Sequence, residues 1–362
     1  MAFVKLANGE HRWAVCAQLN NELQENTERQ NWVDYAKGIG IILVVYGHVV
    51  RGLYSAGIPI SERFYQISDS VIYSFHMPLF FFLSGLFFLS TYNKYKAGRS
   101  VLKKVDVIVY PYIIWSLLQG FIEVFLAQYT NGDVSASEVL RLWDPRAHFW
   151  FLYALFLIFS LCCVIFWAFK GAAIYVALLS SLVIYLWPSI LPESTASIHI
   201  SQNLVFFIAG IAFSRFSCHD FWRKKWLLYI SIVGFSLSQY VFHITWGGHY
   251  GDRGVNTLLL ALVSITLIVS LCHRLPDKGL AWLLTLGVSS MAIYLIHILS
   301  GSGVRILLQS LLSINNFWVH LALGMVFGLL LPIVFSAVVK KIGFKYIFSA
   351  PISRWVQRFG KK

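Results

Sequence analysis

After residue 35 the chain falls into ten apolar stretches of about 17–22 residues, near 36–54, 71–90, 108–129, 149–169, 172–190, 202–217, 226–244, 255–273, 280–299 and 318–339. Each is close to the length an α-helix needs to cross the hydrocarbon core of a bilayer. In lipid every backbone N–H and C=O has to be satisfied internally, and a helix does this within one segment. Pro or Gly bounds several stretches, among them Pro188, Pro192, Gly247, Gly248 and Pro276. Composition excludes a soluble fold. Hydrophobic residues make up 58% of the 362 and charged residues 12%, whereas soluble domains average about 25% charged. A soluble interior of this size cannot hide so much apolar surface. The pattern predicts an all-α polytopic membrane protein with about ten transmembrane helices.

Charge then predicts the orientation. The 29 Lys and Arg against 16 Asp and Glu give a net +13, which in a soluble protein would suggest a nucleic-acid partner. Here the cations alternate between segments. With the N-terminus inside, 22 of the 29 fall in cytoplasmic segments. Only Arg51, Arg63, Arg141, Arg146, Arg253 and Arg305 fall on the other side, and Lys37 lies at the start of the first span. Such a bias places both termini in the cytoplasm and removes nucleic acid from consideration. The chain accordingly divides into a polar cytoplasmic tail at 1–34 without a signal-peptide pattern, a membrane domain at 35–340, and a basic tail at 341–362. Within that last tail, 345–359 mixes aromatic with basic residues. It reads either as an interfacial segment on anionic lipids or as a plain basic stop signal. Cys16, Cys162, Cys163, Cys218 and Cys272 form no C-x-x-C, so neither a disulfide framework nor a metal site is expected.

Ionisable residues inside spans are costly and mark candidate sites. Lys37 and His48 are eleven positions apart in the first span. Eleven helical steps bring them to nearly the same face, separated by about 16 Å along the axis. A cation at one mouth and an imidazole deeper in suit a long ligand that enters phosphates-last. The alternative is that Lys37 snorkels to the interface and His48 bonds a neighbouring helix. In the second span His76 stands two residues before Pro78, and Ser84-Gly85 reads as a close-packing site between helices. His76 is either a site residue or a satisfied core histidine. His148-Phe149-Trp150-Phe151-Leu152 opens the fourth span as an aromatic anchor. In the ninth, Ser290, Tyr294 and His297 share one helix face. That stripe must face protein or water, as structural hydrogen bonding or as the lining of the cavity that holds His48. Nucleophile-elbow, phosphate-loop, zinc-protease and dinucleotide motifs are missing.

Together these residues resemble the acyltransferase 3 family, bacterial integral-membrane enzymes that O-acylate sugars of surface polysaccharides. The family's first span carries a basic residue, ten intervening positions and a His, as do Lys37 and His48. Its Phe-Phe-x-x-Ser-Gly pattern is met by Phe80 together with Phe81-Phe82-Leu83-Ser84-Gly85, its Trp-Phe-Leu element matches Trp150-Phe151-Leu152, and its late Ser-x-x-x-Tyr-x-x-His matches Ser290, Tyr294 and His297. The likeness runs from about Trp32 to Lys340. This chain has Lys37 where many members have Arg, which keeps the charge but loses a bidentate phosphate contact. Asp106 also interrupts the basic loop before Pro111.

The resemblance implies transfer of an acetyl group from acetyl-CoA to a hydroxyl of a polysaccharide or lipid-linked oligosaccharide, at the bacterial inner membrane. His48 would be the general base. Lys37, Arg99, Lys103 and Lys104 would hold the donor phosphates, and His76, Ser84, Trp150, Ser290, Tyr294 and His297 would serve the acceptor or support the site. Acetyl-CoA would be a substrate, with no permanently bound cofactor or metal, and membrane lipids would be the remaining partner. Two other readings fit the composition: a transporter or flippase, for which the sequence shows neither repeated halves nor matching interrupted helices, and the same fold with another donor such as succinyl-CoA.

Overall fold

The computed structural model describes residues 9–127, 134–216, 219–276, 279–344 and 346–359, with the side chains of 9–30, 219 and 357–359 excepted. Lys5, Cys218, Lys345, Lys361 and Lys362, and the side chains of Arg12, Cys16, Arg29 and Arg358, lie outside the described residues. Everything regular among the described residues is helical. Among the described residues, eight helices are long and apolar enough to cross a membrane. In chain order the helices are α1 (Gly9–Ser55), α2 (Glu62–Tyr73), α3 (His76–Leu86), α4 (Phe88–Lys104), α5 (Tyr110–Phe125), α6 (Ala136–Val139), α7 (Trp150–Phe169), α8 (Ala173–Leu186), α9 (Thr195–Phe216), α10 (His219–Trp222), α11 (Lys225–Tyr240), α12 (Val255–Cys272), α13 (Ala281–Val288), α14 (Ser290–Ile306), α15 (Phe317–Lys341) and α16 (Ile352–Phe359).

The described residues of all ten apolar stretches are mostly helical, but not all are single straight rods. The long segment 147–186 turns back on itself at Lys170, where φ is 44°, so α7 and α8 pack against each other as two spans. The stretch at 71–90 is cut twice, after Tyr73 and at Phe87. Pro78 explains the first cut: it sits in the opening turn of α3, where its missing N–H leaves no bond unmade. The stretch at 280–299 breaks at Ser289, between α13 and α14. Irregular backbone at membrane depth is tolerated where protein or a cavity surrounds it, and all three breaks border cavities described below.

α1 is the hub. It packs against α2, α3, α12, α13, α14 and α15, and Tyr35, Ile41, Val45 and Leu53 along it are almost fully buried. Two crossings are close enough to require glycine. A Cβ on Gly85 of α3 would lie 2.0 Å from the Phe207 carbonyl oxygen of α9, and one on Gly210 would lie 2.0 Å from the Phe82 carbonyl oxygen. At the other, a Cβ on Gly287 of α13 would lie 1.8 Å from the Asp34 carbonyl oxygen of α1. Ser84-Gly85 thus includes the close-packing site its composition suggests. Cys162 and Cys163 are buried packing residues of α7.

Asp106 has a structural task. It lies in a π-helical turn between α4 and α5 and is buried. Its carboxylate accepts from the Ser353 N–H at 2.7 Å and from the Ser353 hydroxyl at 2.5 Å, capping the first turn of α16. Tyr110 and Trp115 donate to the carbonyls of Tyr346 and Ile347 at 2.7 and 2.9 Å. The basic tail is therefore strapped to the start of α5. Asp106→Ala removes two charge-assisted bonds and about 3 kcal/mol of docking. Trypsin cleavage at Arg354 should then quicken about tenfold or more, and unchanged protection would contradict the strap.

Candidate active site

α1 and α14 lie side by side, and two cavities are stacked end to end along them. The first, about 340 Å³, is lined by Lys37, Ile41 and Val44 of α1 and by Ser290, Met291 and Tyr294 of α14. The second, about 380 Å³, is lined further along by His48 and Arg51 of α1 and by His297, Ser302 and Arg305 of α14. Both helices meet the first chamber before the second, so they run in the same direction, as the first and ninth spans of a ten-span chain must.

The lysine chamber has two cationic groups and a mostly apolar wall. Lys37 pairs with Asp34 at 3.1 Å and lies 5.5 Å from the centre of the Phe87 ring. Lys104, from the end of α4, lies 4.9 Å from the Phe159 ring centre. Ser84 also lines this chamber, its hydroxyl donating to the Phe80 carbonyl at 2.8 Å. Of the four cations expected to hold a donor, only Lys37 and Lys104 line it. Arg99 is exposed, and Lys103 faces Asp106 at 4.0 Å.

Where the chambers approach each other, three imidazoles gather. The His48 ring centre is 5.1 Å from that of His297 and 5.9 Å from that of His148, and His148 is 5.1 Å from His297. The His297 Nδ1 faces the Ile293 and Tyr294 carbonyls at 3.0 and 2.8 Å, so it carries the proton in the neutral ring and Nε2 keeps its lone pair. Neither that Nε2 nor either nitrogen of buried His148 has a partner among the described residues. Tyr294 ties the cluster together by donating its hydroxyl to the His148 carbonyl. The stripe of Ser290, Tyr294 and His297 is therefore divided by depth: the first two line the lysine chamber, and His297 lines the histidine chamber. His76 is fully buried on Tyr73, its Nδ1 bonded to the Ile72 carbonyl at 2.8 Å. Among the described residues no group of His, Cys, Asp and Glu has the arrangement of a metal site.

Arg51 stands one turn beyond His48. It makes a two-pronged bond to Asp69 at 2.6 and 2.8 Å, donates to the Tyr250 hydroxyl at 2.9 Å, and lies 3.3 Å from the centre of the Tyr73 ring. Tyr73 and Tyr250 line a third cavity of about 160 Å³, together with Trp150, Asn203 and Arg253. Trp150 belongs to this side pocket and stacks on His199. The Arg51–Tyr73–Tyr250 layer separates the pocket from the histidine chamber. Sequence reasoning overlooked His148, Arg51, Tyr73, Arg305 and His320. The signals available were the i+3 spacing of Arg51 from His48 and the place of His148 two residues before Trp150.

The profile of the acyltransferase domain family matches residues 30–337. Among curated proteins, nodulation protein NolL of Mesorhizobium japonicum is 24% identical over 59% of this chain and 56% of its own length. Nodulation protein NolL of Sinorhizobium fredii is 28% identical over 50% of this chain and 48% of its own. The chain thus spans about half the length of the curated relatives it matches. No solved structure matches it.

Proposed function

Because the chain belongs to the acyltransferase 3 family, we propose that it is a membrane O-acyltransferase carrying an acetyl group from acetyl-CoA to a sugar hydroxyl of a surface glycan or its lipid-linked precursor. The observation that carries this reading is the pair of chambers that follow one another along α1 and α14, with Lys37 and Lys104 on the wall of one and His48 and His297 on the wall of the other. A CoA thioester is a slender arm with phosphates at one end and the reactive carbonyl at the other. The ammonium groups attract its phosphates, and the apolar wall between Ile41 and Phe151 accepts the arm. About 16 Å of α1 separates the levels of Lys37 and His48, so an anchored arm points its thioester toward the histidines.

The acceptor hydroxyl enters the histidine chamber. An alcohol is a poor nucleophile at neutral pH, and His48 takes its proton as the oxygen attacks the thioester carbonyl. The new C–O bond forms, the C–S bond breaks, and the departing sulfur takes the proton from the His48 imidazolium, leaving as free CoA and restoring the base. By the distribution of basic residues, the lysine chamber opens to the cytoplasm, where acyl-CoA is made, and the histidine chamber opens to the far side of the inner membrane.

Purified protein given acetyl-CoA and the surface glycan of the producing strain tests the reading. Lys37→Ala should raise the acetyl-CoA concentration for half-maximal rate about tenfold, the worth of one charge-assisted contact, with a smaller effect on the maximal rate. An unchanged donor dependence would contradict the role of Lys37, and turnover of succinyl-CoA in preference would redefine the donor.

A further inference from the structure

The histidine chamber holds a second arginine whose charge no described residue balances. Arg51 is neutralised by Asp69. Arg305, on the same chamber wall, is only 8% exposed and has no hydrogen-bond or salt-bridge partner among the described residues. No Asp or Glu lines the chamber. The same chamber is lined by His320 of α15, 1% exposed and bonded through Nε2 to the Ile314 carbonyl at 2.7 Å, so that its Nδ1, without a partner among the described residues, keeps its lone pair and can only accept. A guanidinium does not shed its proton to escape burial, and an uncompensated buried charge costs several kcal/mol. An arginine reaching for lipid headgroups would extend out of the protein, whereas this one faces a cavity that it shares with His48 and His297.

We propose that Arg305 forms an anion-binding subsite, so that the acceptor carries an oxyanion close to the hydroxyl that is acylated. This rests on the reading of the histidine chamber as the acceptor site. Arg305 follows His297 by eight residues, about 12 Å along α14, and its side chain leans back toward the N-terminal turns. The oxyanion therefore lies within about two sugar rings of the reacting hydroxyl. A sugar carboxylate and a phosphate linking the glycan to its lipid carrier both have this chemistry, and both accept a forked guanidinium bond.

Binding to the purified full-length protein, followed as thermal stabilisation, needs no turnover and so stands apart from the acyltransferase reading. The probes are glucuronic acid, neutral glucose, a polyprenyl monophosphate and phosphatidylglycerol, each with wild type, Arg305→Gln and Arg305→Lys. Glucuronic acid or the polyprenyl phosphate should stabilise wild type more than glucose does, and whichever acts identifies the source of the charge. Arg305→Gln should weaken that binding about tenfold or more, as expected for one charged hydrogen bond, and Arg305→Lys should restore part of it. Equal stabilisation by acetyl-CoA in all three proteins reports an intact fold. Undiminished anion binding in Arg305→Gln, no anion binding to wild type, or binding of phosphatidylglycerol alone would overturn the proposal. Loss of acetyl transfer from acetyl-CoA in wild type would instead count against the acyltransferase reading.

Discussion

His48→Ala should abolish acetylation of the glycan, a loss of about 10²–10⁴ in rate, while the protein still accumulates in the membrane at its normal level. His48 combines two properties. It lines the histidine chamber, and it stands on the same face of α1 as Lys37. His148 belongs to the same cluster but lines none of the three cavities described above. No hydrogen bond from the His48 ring to a described residue holds the fold, so truncation orphans little. Its neighbours respond differently. His297→Ala frees two backbone carbonyls that its Nδ1 faces and should slow the reaction less. The double variant should be scarcely slower than His48→Ala alone, because groups serving one proton transfer do not add. Full acetylation by His48→Ala would remove the base from the mechanism.

Gly85→Val should deplete the folded protein altogether. The first atom of any side chain there would stand 2.0 Å from the Phe207 carbonyl oxygen and 3.2 Å from the Gly210 Cα. These are backbone atoms of a packed helix and cannot rotate aside. Helices α3 and α9 would have to part, opening a seam beside Phe81, Phe82 and Phe207, all at most 5% exposed. Overpacking at such a crossing costs about 3 kcal/mol or more, a large share of the stability of most domains. Small residues at helix crossings let dispersion contacts form where lipid supplies no hydrophobic drive between helices. Gly98→Ala is the control, since no atom lies within 4 Å of the Cβ it would add, and it should stay within about 1 kcal/mol of wild type. Thermal melting in detergent and the yield from membranes measure both. A Gly85→Val protein that accumulates and melts like wild type would show that the two helices are not held at this distance.

The spans were legible because hydropathy over about 20 residues is a local property set by bilayer thickness. The facing of Lys37 and His48 was legible for a similar reason, since helical periodicity fixes it without reference to any partner. What the pattern could not show is what depends on depth or on a distant segment. Ser290, Tyr294 and His297 share a helix face, yet they serve different chambers, because a face is not a level. Pro78 marks the break after Tyr73 in the sequence, whereas no proline marks the break at Ser289. Arg51 and Arg305 read alike as cations at the far ends of spans. Only the fold brings Asp69 to the first and leaves the second alone in a cavity. Asp106 looked like a flaw in a basic loop, and its partner Ser353 lies 247 positions away.

The central claim is that donor and acceptor reach His48 from opposite sides of the membrane. Proteoliposomes holding the protein in one orientation test it most directly, with acetyl-labelled CoA supplied only at the Lys37 face and the strain's surface glycan only at the other. The account predicts labelled ester on the glycan with wild type and none with His48→Ala. Label that appears only when both substrates share one face, or that survives undiminished in His48→Ala, would contradict it.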